Sequence, residues 1–439
     1  MSPPAGGGTR LIDRHDAVLL DLDGVLHRGS EPIEGAPETV DGLHRLGVPL
    51  AFVTNNSART PGRIAERLRA MGFEARPHEV VTSALATAEL LRRRAVRTVF
   101  VIGEEGIRAA LAEAGIEVVD GEPTEADAVV VGWDRSVDYA KLRTAALLVQ
   151  RGSALVATNA DRSYPAPDGL WPGAGALLAA VVTATGTEPE VVGKPAAPLF
   201  KEALRRTGAV RALAVGDRLE TDILGAASLR IDTLLVLSGA ATPADLVRWA
   251  VGPHPLPTHV GPDLSVVMRE PAPPAIRPAS SADADSVAAL LVEGGLAEAG
   301  AEHRIPDTLV AVDPPTAAPA PEPIPATSGE PARSLVGTVA IERFGDLAHL
   351  RSLGVAPGRR GGAVGLALVA RAVRLAAEGG AGQLFAVTET AGPFFARLGF
   401  EAVGTPEVLP QPIRDSDVVR RSCTASADVF RLDLAPEVQ

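Results

Sequence analysis

The chain is 439 residues long, with 46% hydrophobic and 22% charged residues, enough for two to four domains with real cores and too apolar for a disordered protein. Its formal net charge of −12 argues against nucleic acid or an anionic membrane surface as a partner, since both require a basic footprint. A single cysteine, Cys423, excludes an intrachain disulfide and a cysteine-rich zinc site, and reads as a small apolar residue.

The N-terminal stretch Met1–Arg10 is rich in Pro and Gly and shows no apolar core of a secretory signal. The most apolar run, Gly173–Gly186, is too short for a bilayer, so a soluble, cytoplasmic chain is expected. Short apolar runs then alternate with amphipathic stretches up to about residue 250. The runs are Ala17–Leu20, Pro49–Thr54, Thr98–Ile102, Ala128–Val131, Ala154–Thr158, Ala212–Val215 and Thr233–Val236. Helix-like segments such as Thr60–Met71, Ser83–Arg93 and Ala197–Thr207 lie between them. Uniformly apolar strands alternating with helices predict a doubly wound parallel α/β core, whose ligands sit off the carboxyl ends of the strands.

Four motifs fall at such strand ends. Leu20-Asp21-Leu22-Asp23-Gly24 places two carboxylates at i and i+2 as the chain leaves a strand, where an Asp can serve as an oxygen nucleophile toward phosphorus. Taken alone it reads equally as a polar strand exit. Val53-Thr54-Asn55-Asn56 ends a second strand in hydroxyl and amide groups suited to phosphoryl oxygens. Gly193-Lys194-Pro195 supplies an ammonium that screens both a carboxylate and a phosphate. Gly216-Asp217-Arg218-Leu219-Glu220-Thr221-Asp222 ends another strand in acidic groups that suit Mg²⁺.

In this order and wording ("LDLDGVLHRG", "FVTNNSART", "GKPAAPLF", "GDRLETDI") the segment from about 13 to 250 resembles the haloacid dehalogenase-like hydrolase superfamily, class IIA. That group contains the p-nitrophenylphosphatase, phosphoglycolate phosphatase and NagD-like enzymes. The resemblance implies a Rossmann-like core over 11–82 and 188–250 with an α/β cap inserted at 83–187. It implies Asp21 as nucleophile and Asp23 as general acid and base, with its pKa raised by neighbouring carboxylates. Mg²⁺ would be held by Asp21, the Asp23 backbone carbonyl and Asp217, with Asp222 supporting. Thr54, Asn55, Asn56 and Lys194 would bind the phosphoryl group of a small phosphorylated substrate. Trp133, Asp134, Arg135, Asn159, Arg162, Tyr164 and Trp171 are candidate substrate contacts in the cap, though the tryptophans read first as packing and the arginines first as solvated. Relatives that dimerise through their caps make a homodimer one expectation.

The Pro-rich stretch 252–275 reads as a linker. A second, 313–333, reads as an insertion within the C-terminal part. Beyond the linker, Ile276–Ala279 leads into a helix over 283–293, and Leu335–Phe344 and Leu347–Val355 form a hairpin about Gly345-Asp346. Val355 is followed by Arg360-Gly361-Gly362-Ala363-Val364-Gly365 and a helix to Glu378, a strand–turn–helix cradle for a pyrophosphate. With "TETAGPFFARLGFEAV" downstream, residues 276–434 resemble the GCN5-related N-acetyltransferase family, implying a site for acetyl-CoA or another CoA ligand at Val355, Arg360, Gly361, Gly362 and Gly365. Ala363 stands where that family has glycine, and Phe394 and Phe395 stand where a tyrosine general acid is often found. A regulatory or structural domain is therefore expected, a bifunctional phosphatase and acyl-CoA-binding acetyltransferase being the alternative. The domain order resembles that of mycobacterial-type glycerol 3-phosphate phosphatases. It implies Mg²⁺-dependent hydrolysis of glycerol 3-phosphate in glycerophospholipid metabolism. Phosphoglycolate, a nucleoside monophosphate or pyridoxal phosphate are the other substrates in view.

Overall fold

The computed structural model describes residues 10–166, 168–296, 307–314, 334–422 and 424–434. Cys423, most of the second Pro-rich stretch and part of the Pro/Gly-rich N-terminus lie outside the described residues. The chain enters its main sheet with β1 (Ala17–Leu20), β2 (Leu50–Thr54) and β3 (Val80–Thr82). It then runs through β4 (Thr98–Ile102), β5 (Glu117–Val119), β6 (Ala128–Val131), β7 (Ala154–Ala157), the ribbon β8 (Ser163–Ala166) and β9 (Gly169–Pro172), and β10 (Glu190–Val191). It returns with β11 (Ala212–Gly216), β12 (Asp232–Val236) and β13 (His259–Gly261). The main sheet has the order β13-β12-β11-β1-β2-β3, and the inserted sheet the order β10-β7-β6-β4-β5.

Packing divides the chain into two compact units, residues 15–233 and residues 234–439 with 1–14. In the first, β1 pairs in parallel with β11 on one side and β2 on the other, Leu20 opposite Val215 and Phe52. All four residues of β1 and all five of β2 and β11 are buried. Burying each such Leu, Val or Phe side chain contributes roughly 1.5–3 kcal/mol, and only helices on both faces make that burial complete. Helix α1 (Ala36–Arg45) follows β1, and α2 (Pro61–Ala70) follows β2, capped by the Thr60 hydroxyl accepting from the Arg63 N–H. The inserted sheet is covered by α3 (Tyr139–Gln150) and α4 (Ala174–Thr185), which bury Leu148 and Val181 against Val129 and Val131.

Two boundaries differ from the sequence expectation. The inserted sheet continues to Val191, past the expected end of the cap at 187, because β10 pairs with β7. The stretch 252–275 is not a bare linker: His259–Gly261 adds an edge strand beside β12, and Leu264–Val267 forms a buried helical turn. Its prolines flank these elements and leave them intact.

The second unit holds α5 (Pro243–Val251), a sheet of strands β14 (Ala275–Pro278), β15 (Thr308–Val312), β16 (Leu335–Phe344), β17 (Leu347–Val355), β18 (Gln383–Thr388), β19 (Glu401–Gly404) and β20 (Asp428–Asp433), and the helix α6 (Val364–Glu378). The order is β14-β15-β16-β17-β18-β20-β19, and the β16–β17 hairpin closes where the sequence places it. The unit boundary falls inside β12, and not at the prolines, because α6 packs on α5. Arg374 donates to the carbonyls of Ala250 and His254, and Arg371 to those of Pro257 and Thr258. A cation at the carbonyl end of α5 also meets its helix dipole.

In β17, His349 is buried opposite Glu342, and burial, helped by Arg351, pushes its ring pKa down to about 4. Between that value and the unfolded value near 6.5 only the unfolded chain binds the proton, so stability falls as pH drops through this window, by roughly 3 kcal/mol in all. Unfolding midpoints measured from pH 7 to pH 4 should therefore fall less steeply for His349→Gln than for the wild type.

Candidate active site

In a parallel sheet neighbouring strands end side by side, so motifs far apart in sequence collect at one edge. The ladder extends one residue past β1, where the Asp21 N–H donates to the Val215 carbonyl at 3.0 Å and fixes the backbone at the strand's tip. The Lys194 ammonium contacts Asp21 Oδ1 and Asp222 Oδ1, the latter at 2.6 Å, and donates to the Val53 carbonyl at 3.3 Å. Lys194, Asp217 and Asp222 are buried. Asp21, Asp217 and Asp222 bring one oxygen each within 4.8 Å of one another.

Three carboxylates against one ammonium leave an excess of negative charge in a buried place. Burial raises the Asp21 pKa; Lys194 opposes it, and Asp222 and Asp217 add to it, so the carboxyl is displaced upward. Burial works against the Lys194 ammonium too, but Asp21 and Asp222 outweigh it and hold its pKa above the usual lysine range. Hard oxygen donors with surplus negative charge are the chemistry of a Mg²⁺ or Ca²⁺ site, and these residues fit a divalent cation.

Asp222 reaches this cluster through a π-helical turn, Leu219–Ile223, a wider loop than an α-turn and one frequent at functional sites. Its Oδ2 accepts from the Arg218 N–H at 3.2 Å. Sequence order suggested a supporting role, and the structure places it among the carboxylates themselves. Gly216 is what lets it in, since a Cβ there would lie 2.1 Å from Asp222 Cβ.

Asp23 departs from expectation. The chain turns immediately after Asp21: Leu26 N–H donates to the Leu22 carbonyl at 2.9 Å, and Gly24 takes φ +81°. The i, i+2 alignment holds only for an extended strand, so the turn carries Asp23 out of the cluster, to where His27 Nδ1 lies 3.2 Å from its Oδ1. Burial raises the Asp23 carboxyl, but His27, Arg67 and Lys194 together outweigh it and hold the group below its ordinary value. The upward shift expected from neighbouring carboxylates falls on Asp21 instead.

The loop after β2 also differs. Thr54 is buried and its Oγ1 accepts from the Asn56 N–H at 3.1 Å, so the hydroxyl proton remains to be donated elsewhere. Asn56 turns its own Oδ1 to the N–H groups of Ala58 and Arg59, and its side chain thereby braces the loop. Asn55 clasps Lys194, accepting from its N–H at 2.7 Å and donating to its carbonyl at 3.1 Å. Both amides were expected to bind phosphoryl oxygens, and both side chains are instead engaged in shaping the site.

Two positions lie within recognised motifs but are not among the site residues those motifs single out. His27 is visible only as the residue after the DxD turn. Asp161, in the segment after β7, accepts from Asn55 Nδ2 at 3.3 and 3.4 Å. Burial raises its carboxyl, against Asn55, Lys194 and Arg218 and with Asp222. Beside it, Asn159 donates to the Asn55 carbonyl at 2.8 Å and Thr158 to the Ser57 hydroxyl at 3.0 Å. The aromatic cap candidates serve each other: Trp133 stacks on Tyr164 at 4.5 Å, Arg135 lies over Trp133 and pairs with Glu104, and Trp171 donates to Asp168. Asp134 is buried against Lys141 at 2.8 Å, and Arg162 is exposed.

Residues 18–117 match the model of haloacid dehalogenase-like hydrolases and 191–266 that of HAD-hydrolase-like proteins. An acid sugar phosphatase of Staphylococcus epidermidis is 38% identical over 262 residues, 59% of this chain and 99% of that protein. The chain belongs to the haloacid dehalogenase-like hydrolases. Within that family its neighbours are class IIA phosphatases. NagD of E. coli is 33% identical with a TM-score of 0.52, covering 56% of this chain and 96% of NagD. The crystal structure of a glycerol phosphate phosphatase of Mycobacterium tuberculosis, in complex with calcium, is 30% identical with a TM-score of 0.61, covering 84% of this chain and 90% of that one. The same protein is also known in complex with magnesium. Residues 318–400 match the acetyltransferase (GNAT) family, so the hydrolase carries a GNAT domain at its C-terminal end.

In the second unit a cavity of about 670 Å³ is lined by Val355, Arg360, Gly361 and Gly365 of the expected residues, with Ala363 and Phe394, and by Leu237, Pro243 and Pro262 ahead of the GNAT domain. Gly362 is not among its lining residues. Gly361 takes φ +78° and Ala363 φ +64°, so the chain keeps the left-handed turn at the start of α6 even with alanine, at a cost that glycine would avoid. Among the described residues no helix is long and apolar enough to cross a membrane.

The tight approach at Gly216 yields a test within the hydrolase. Gly216→Ala must push Asp222 away, so it should lower phosphate-releasing activity about a hundredfold or more and weaken divalent-cation binding, read by calorimetric titration of Mg²⁺.

Proposed function

We propose that this hydrolase is a Mg²⁺-dependent phosphomonoesterase that converts glycerol 3-phosphate to glycerol and phosphate through an aspartyl-phosphate on Asp21. The observation that carries the chemistry is the convergence of Asp21, Lys194, Asp217 and Asp222 at the end of β1. The observation that favours the substrate is the match over 84% of the chain, both domains included, to a protein described as a glycerol phosphate phosphatase.

Asp21 and Asp217 would hold the ion, with the Asp23 backbone carbonyl and Asp222 completing the set; when bound, the ion supplies charge neutralisation for the phosphoryl oxygens. A carboxylate oxygen of Asp21 attacks phosphorus in line with the leaving alkoxide. The P–O bond breaks and the alkoxide takes a proton from Asp23. Water then attacks phosphorus, losing its proton to Asp23, and the acyl phosphate bond breaks to return Asp21. Asp23 is held low in the free site and suits the base role directly; a phosphate dianion arriving beside it raises its pKa and equips it for the acid role. Thr54 donates its hydroxyl proton to a phosphoryl oxygen, and Lys194 stays charged through both steps.

A sugar phosphate is the second reading, favoured by the relatives named acid sugar phosphatases at 38–39% identity. Phosphate release from glycerol 3-phosphate, a hexose phosphate, phosphoglycolate, UMP and pyridoxal phosphate decides between them. Turnover should be highest on glycerol 3-phosphate, vanish with EDTA, and fall about a thousandfold or more in Asp21→Asn. A different preferred ester with the same metal and Asp21 dependence would keep the mechanism and remove the substrate assignment.

For the GNAT domain we propose a regulatory or structural role, with the cavity at the start of α6 open to a CoA ligand. Phe394, on its wall, has no hydroxyl with which to protonate a thiolate. Acetyl-CoA added to the full chain should raise its unfolding midpoint in a thermal-shift scan, because a ligand bound only to the native state stabilises it. An unchanged midpoint at millimolar acetyl-CoA would leave the structural role.

A further inference from the structure

The turn after Asp21 gives the two oxygens of Asp23 unlike surroundings. The side chain opens to solvent, yet its Oδ1 lies 3.2 Å from Nδ1 of His27, whose ring is buried. That ring nitrogen is itself shut off from water, and among the described residues no other group offers it an acceptor. An ionised carboxylate only accepts, so Nδ1 must carry the ring proton for the two to bond.

The backbone brings this pair together. The Gly24 N–H donates to the His27 carbonyl at 2.8 Å and the His27 N–H to the Leu22 carbonyl at 3.3 Å, which makes Asp23 and His27 bridge partners across the turn. His27–Arg28 then pairs with Glu31–Pro32, and the Ile33 N–H donates to the Leu26 carbonyl at 2.8 Å. From α2, Arg67 donates to the Gly29 carbonyl at 2.7 Å and ties this ribbon down. The imidazole is therefore held firmly, while a solvent-facing aspartate at a turn is free to spread over its rotamers. Proton transfer needs one of them.

We propose that His27 is a positioning residue: by donating to Oδ1 it fixes the Asp23 carboxyl in one orientation and leaves Oδ2 to exchange the proton. The inference rests on the phosphatase reading above and goes beyond it, giving a part to a buried imidazole that the mechanism leaves unused. As the P–O bond breaks, the proton passes from Oδ2 to the alkoxide; as water attacks, a proton passes from water to Oδ2. His27 keeps its own proton throughout and acts only through Asp23.

The leaving group supplies the test. An alkoxide departs poorly without a proton, whereas p-nitrophenolate departs unaided, so a well-placed acid matters for the first and not for the second. kcat/KM reports the steps up to ester cleavage. On the alkyl ester that the wild type prefers, His27→Leu should lower kcat/KM roughly ten- to a hundredfold. On p-nitrophenyl phosphate its kcat/KM should stay within about threefold of wild type, while kcat falls because the water step still needs Asp23. His27→Asn places an N–H as many bonds from the backbone as Nδ1, and should restore the alkyl ester to within about fivefold of wild type. An equal loss of kcat/KM on both esters would mean that His27 only supports the ribbon, and would overturn the proposal. So would an unchanged kcat/KM on the alkyl ester in His27→Leu. Wild-type enzyme inactive on every ester in the presence of Mg²⁺ would overturn the phosphatase reading itself and this inference with it.

Discussion

The buried contacts of the Lys194 ammonium with Asp21 and Asp222 are what the rest of the hydrolase unit is arranged around. A lysine and three aspartates withdrawn from water are costly unless each charge meets another at short range. Parallel pairing supplies that closeness. β11, β1 and β2 end in register, so Asp217, Asp21 and Thr54 come together although almost two hundred residues separate the first from the second. The apolar strands behind them, buried on both faces, stabilise the sheet that holds this polar edge. The surplus negative charge that remains is a stored preference for a cation.

Lys194 has no strand of the main sheet beneath it. It follows β10, which belongs to the inserted sheet, and it is Asn55 that ties it to the loop after β2 with two hydrogen bonds to its backbone. The same asparagine reaches Asp161, and Asn159 in turn reaches the Asn55 carbonyl. One residue thus joins the surroundings of Asp21, the loop of Lys194 and the cap. Close glycine contacts, as at Gly193, whose Cβ would lie 2.6 Å from Asn55 Oδ1, leave this junction little freedom. Positioning by a rigid scaffold is how an enzyme lowers the entropic cost of assembling reacting groups.

The GNAT domain keeps the elements that the sequence places in it. Its hairpin, turn and long helix are in place, and a cavity opens at the start of the helix. Ala363 occupies a left-handed position and Phe394 lines the cavity wall. Arg371 and Arg374 spend their donors on carbonyls after and within α5, which makes this helix a structural support as well as part of the cavity's wall.

Strand identity was legible because it is local: β1, β4 and β6, the β16–β17 hairpin and the long helix to Glu378 sit at the residues where apolar runs and turn residues place them. The residue types of the site were legible too: carboxylates and an ammonium at strand ends, which the structure brings together as Asp21, Lys194, Asp217 and Asp222. Only the tertiary structure decided which way those groups face. The turn after Asp21 sends Asp23 toward His27, the π-turn brings Asp222 in, the clasp engages Asn55, and Asp161 of the cap meets that same asparagine. A sequence lists the donors and acceptors a chain carries. Which pairs satisfy one another depends on distances between segments remote in sequence, and those are set when the sheets close and water is excluded from between them.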